Sequence, residues 1–137
     1  FGAVVLAWDH VKQSALDPGD GRNLVFHEFA HQLDAENAAS DGIPVLPRTS
    51  RYIVWARVLG AEYRDLQERV QAGGEGLLDR YGATNAAEFF AVATECFFER
   101  PVELRARHPR LYAELQTFYR QDPVTYQATE AMPVVDA

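Results

Sequence analysis

Cysteine is almost missing: Cys96 is the only one in 137 residues, so no internal disulfide framework can form. Reducing cytosol is the simplest home for such a chain, and a cytoplasmic location is expected. Long apolar runs are missing too. No stretch approaches the roughly eighteen residues of a membrane-spanning helix, and no secretory signal is visible. Basic residues are outnumbered, with thirteen Lys and Arg against twenty Asp and Glu and a formal charge of -7. That argues against direct binding to nucleic acid, which wants a clustered basic surface. Repeats, low-complexity tracts and interdomain linkers are absent.

What is present suits a folded domain. Apolar residues make up 47% and charged residues 24%, too apolar a mixture for a disordered chain. The length fits a single domain over 1–137 with a real core.

Along the chain, Ala3-Val4-Val5-Leu6-Ala7-Trp8 is short, β-branched and apolar and reads as a strand, either an edge that pairs with an extended peptide or an interior strand. Asp17-Pro18-Gly19-Asp20-Gly21 is a turn. A helix is expected over about 22–37 and a loop over 38–47. Ser50 suits the N-cap of a long amphipathic helix to about Gln71, with Trp55, Leu59, Leu66 and Val70 on one buried face. Gly73-Gly74 and Gly76 end it. A turn over 79–84 leads to a third helix over about 86–99, capped by Asn85 or Thr84. Pro101 and Pro109 each open a further helix, to about Arg107 and Gln121. The tail from 123 lacks periodicity and is expected to be irregular. The sum is an α+β fold, mostly helical, with a small sheet.

The chemistry concentrates in His27-Glu28-Phe29-Ala30-His31. Histidines four apart stack on one helix face, so both rings reach one ion. A glutamate directly after the first histidine stands beside the ion's open position, where it can take a proton from water. This is the pattern of a metallopeptidase. A catalytic zinc needs a third protein ligand, with water in the fourth place. The long metzincin pattern is excluded, because it wants a glycine where Asp34 stands and a histidine where Asn37 stands. His10 and His108 fall in a loop and at a helix boundary, the setting of solvated surface histidines. A carboxylate from the third helix is the better source, and Glu88, Glu95 and Glu99 all lie there. Its apolar surroundings mean that a buried carboxylate needs a cation or full hydrogen bonding. Spacing leaves the choice open between Glu88 and Glu95, and if Glu88 ligates, Glu95 suits the far nitrogen of a ligand histidine. Asp34 reads equally as a supporting residue or a helix-surface one. Cys96 has no histidine at helical spacing and reads as a buried structural thiol, and the neighbouring phenylalanines read as core.

Residues 21–34, Gly-Arg-Asn-Leu-Val-Phe-His-Glu-Phe-Ala-His-Gln-Leu-Asp, resemble the signature of the Mlc titration factor A family. Ala87-Glu88-Phe89-Phe90-Ala91-Val92, Glu95, Phe97-Phe98-Glu99, Pro101 and Gln121-Asp122-Pro123 are similar as well, in the same order. Members of that family look longer, with a further N-terminal region. The resemblance implies a zincin-like peptidase domain related to the catalytic domain of anthrax lethal factor. It implies Zn²⁺ held by His27, His31 and Glu88, with Tyr81 donating to the oxyanion. It also implies a peptide or protein substrate and binding to a transcriptional repressor that couples the peptidase to sugar uptake. The competing expectation is a regulatory repressor-binding protein whose zinc is structural or whose peptidase activity is vestigial.

Overall fold

The computed structural model describes residues 24–36, 41–47 and 49–130. The strand expected at 4–8, the turn at 17–21 and His10 lie outside them. Among the described residues the fold is helical throughout, with no strand, so the small sheet has no support there.

Among the described residues six α-helices follow one another: α1 Leu24–Ala35, α2 Thr49–Gln71, α3 Ala86–Glu99, α4 Pro101–Arg107, α5 Pro109–Tyr119 and α6 Pro123–Glu130, with a short 3-10 turn at Arg80–Ala83 before α3. No helix among these residues is long and apolar enough to cross a membrane.

The centre is α3. Its residues Phe89 through Phe97 are buried without interruption, as a helix apolar on every side must be. Helix α1 makes its largest contact with α3, and the 3-10 turn packs on α3 and α2. From α2, Trp55, Leu59 and Leu66 enter the same core, joined by Leu104, Leu111 and Leu115 from α4 and α5. Aromatic edges lock the layers: Trp55 meets Phe90 at 5.5 Å and Phe118 at 5.3 Å, and Phe97 meets Tyr112 at 5.1 Å.

Helix ends follow local chemistry. Asn85 caps α3, its side chain accepting from the Glu88 N–H at 2.8 Å. At the end of α2, Gly73 takes φ +72. This lets the Gly74 and Gly73 amides reach back to the Arg69 and Val70 carbonyls at 2.9 and 3.1 Å. Arg120, at φ 54, stops α5.

Two expectations need correction. Ser50 is not the cap of α2, because the helix has already begun at Thr49; helix ends are the least certain feature of a sequence pattern. Nor is the described part of the tail from 123 irregular: residues Pro123–Glu130 form α6. Pro123 presets the first turn, and the Tyr112 hydroxyl holds the junction, donating to Asp122 and accepting from the Val124 N–H. A tertiary anchor of that kind leaves no periodic trace in eight residues.

Candidate metal centre

Helix α1 brings His27 and His31 to the interface with α3, and the fully buried Ala30 between them lets the two backbones approach. Phe26 stacks on Phe98 at 4.6 Å and fixes the entry of α1. On the other side, the Asn85 cap places Glu88 in the first turn of α3, where the helix dipole favours a carboxylate.

Three donor atoms converge. His27 Nε2 lies 2.9 Å from Glu88 Oε2, His31 Nε2 lies 3.1 Å from the same oxygen, and the two Nε2 atoms are 3.2 Å apart. Among the described residues, His27, His31 and Glu88 form the group whose ligand atoms stand close enough to share a metal ion. Neighbouring ligands of a tetrahedral ion with bonds of about 2.0–2.1 Å stand about 3.3–3.4 Å apart. The observed triangle is a slightly contracted face of that size.

The donor chemistry agrees. His27 Nδ1 faces Glu95 Oε1 in a close contact, which suits a proton on Nδ1. With a proton on Nδ1, Nε2 would turn its lone pair toward His31 Nε2 and the Glu88 carboxylate, a donor set compatible with a metal ion. Burial depresses the pKa of His27, but the hydrogen bond and charge of Glu95, with the Glu88 carboxylate, outweigh it and raise the pKa above the ordinary value.

The other candidates fall as follows. Glu28 follows His27 on α1 and is partly buried. Tyr81 lies in the 3-10 turn, half exposed, its ring 6.1 Å from that of His27. Glu99, at the end of α3, is outside the cluster. His108 is not a solvated histidine: it joins α4 to α5 and pairs through Nδ1 with Glu62 Oε2 on α2 at 2.7 Å. Cys96 is buried, and desolvation pushes its thiol up to about 12. Asp34, left open by its position in the sequence, is fully buried and accepts the Gly42 N–H at 2.8 Å. Gly42 itself had no signal beyond its place after Asp41 in a turn.

A family of glucose-regulated metallo-peptidases, M90, matches residues 1–120. The chain belongs to that family. Among similar proteins, the Mlc titration factors A of Edwardsiella ictaluri and Serratia proteamaculans are 42% and 40% identical over 126 residues. An uncharacterized protein of Synechocystis is 41% identical over 123 residues. Each alignment takes in 90% of this chain but only 47%, 47% and 45% of these relatives in turn. The chain thus spans about half the length of the curated relatives it matches. The His27, His31 and Glu88 cluster is compatible with a metal ion, in a chain of a metallo-peptidase family.

Proposed function

We propose that this chain carries the active site of a zinc-dependent peptidase, with His27, His31 and Glu88 as the metal ligands. What supports it most is the convergence of the two Nε2 atoms and Glu88 Oε2 within 2.9–3.2 Å of one another. Two histidines and a glutamate are a donor set of catalytic zinc, and membership of M90 supports a peptidase's reaction.

When bound, zinc supplies a Lewis acid that polarises the scissile carbonyl and brings a water's pKa toward neutrality. Glu28 takes the proton from the attacking water and hands it to the departing amine. Tyr81 donates its hydroxyl to the oxygen that gains charge in the transition state. Its place on an exposed turn beside His27 suits contact with a bound chain. Glu95 holds the Nδ1 proton of His27 and so keeps Nε2 aimed inward. The substrate is a peptide or protein. By the same proposal the protein also binds a transcriptional repressor, a link supported by the word titration in the names of its relatives.

The deciding experiment is Glu28→Gln in the whole protein, with metal content and peptide turnover measured together. Zinc retained with turnover down by about 10²–10⁴ supports the assignment. A variant with the parent's rate removes Glu28 from its role. Zinc present in a parent that cleaves no peptide favours the regulatory alternative, in which the ion is structural.

A further inference from the structure

We infer that Asp34 is a positioning residue for the metal centre, setting, through Gly42, the distance between the histidine helix and the head of the helix that carries Glu88. The inference rests on the metal ligands proposed above.

Asp34 lies three residues beyond His31 and seven beyond His27, so all three share one face of α1. Their partners on α3 run in the opposite order. His27 touches Glu95 and Glu88, His31 touches Glu88, and Asp34 reaches the loop residue that packs on Ala86. The three contacts mark one antiparallel interface.

Gly42 is the spacer at its far end. Asp34 Oδ2 accepts its N–H at 2.8 Å, and Trp55 Nε1 donates to its carbonyl at 3.1 Å. Its Cα rests against the first residue of α3. A Cβ there would stand 2.4 Å from the Ala86 carbonyl oxygen, and φ is +80. The Gly42 peptide is therefore gripped from α1 and from α2 while it abuts α3, two residues before Glu88.

The choice of side chain is the informative part. Asp34 is fully buried, and among the described residues its Oδ1 has no hydrogen-bond partner. A carboxylate in that setting is costly, and an alanine would fill space more cheaply. What the carboxylate contributes is a short, directed tether to one amide. Metal centres need such direction, because ligands must be held within about 0.5 Å of their working positions.

The test uses Asp34→Ala and Asp34→Asn in the whole protein. Zinc affinity is read by chelator competition, ligand geometry by the visible bands of the cobalt(II) form, and folding by circular dichroism. The amide oxygen of Asp34→Asn still accepts from Gly42, so its affinity should stay within about twofold of the parent. Asp34→Ala should bind zinc about 10–100-fold more weakly, with shifted cobalt bands. Lost stability alone would leave those bands in place. Should Asp34→Ala not fold, Trp55→Phe loosens the same peptide from its other side and should weaken zinc several-fold. A folded Asp34→Ala, or failing that Trp55→Phe, with the parent's affinity and bands overturns the inference. So does an Asp34→Asn as weak as the alanine variant. A parent that binds no zinc overturns the ligand set itself, and this inference with it.

Discussion

Glu95 and His27 meet across the α1–α3 interface, the carboxylate of one in close contact with Nδ1 of the other. Seven residues earlier on α3, Glu88 faces the opposite nitrogen of the same ring. One histidine is thus held between two acids of a single helix, and their division of labour follows from which nitrogen each one faces.

Glu95→Gln tests that division. The amide still accepts from Nδ1 but no longer supplies charge, so zinc affinity should fall by about 10–100-fold while the fold persists. Chelator competition measures it. An undiminished affinity would show that Glu95 does not orient the ring.

Metal removal should cost stability. At free zinc one hundred times the dissociation constant, binding to the folded state contributes about 2.7 kcal/mol. For a domain of this length that is on the order of 5–10 °C in Tm. Calorimetry of chelated protein before and after zinc addition reads the shift. In Glu88→Ala, with one of the three proposed ligands gone, the rise should largely disappear at the same zinc concentration.

Asn85→Ala removes the cap of α3, in which the Asn85 side chain accepts from the Glu88 amide. About 1 kcal/mol of stability should be lost, within a range of roughly 0.5–2. Denaturant unfolding measures it. Asn85→Asp, which keeps an acceptor at the helix N-terminus, should recover most of the loss.

Cys96 gives a pH dependence with a definite sign. Burial raises its folded pKa to about 12, so the folded protein holds the proton more tightly than the unfolded chain does. The resulting stabilisation is complete below the unfolded value of about 8.5. It is lost progressively as pH climbs from there toward 12. The stability gap between the parent and Cys96→Ala should therefore narrow between pH 7.5 and 10, by about 2 kcal/mol in urea titrations. At pH 8 the native thiol should resist a disulfide reagent until the protein unfolds.

Much of the centre was legible because helical spacing is a local rule. His27 and His31 share a face by arithmetic, and the apolar run from Phe89 to Phe97 announces a buried helix with Asn85 as its cap. Spacing could not choose between Glu88 and Glu95, and the structure shows why: both touch His27, one at each nitrogen. Long-range partners left no mark in the sequence. Nothing near His108 points to Glu62, forty-six residues away, and nothing in the tail foretells that Tyr112 will anchor α6. Asp34 was ambiguous for the same reason, since its partner is the amide of a loop glycine and an amide has no residue type to read.

The enclosure of α3 has a dynamic consequence. Its amides from Phe89 to Phe97 sit among side chains on all sides, so their exchange with deuterium should require the whole domain to open. Glu95 thus rides on the slowest-breathing segment and Glu88 adjoins it, whereas Tyr81 stands on a four-residue turn with its ring half in water.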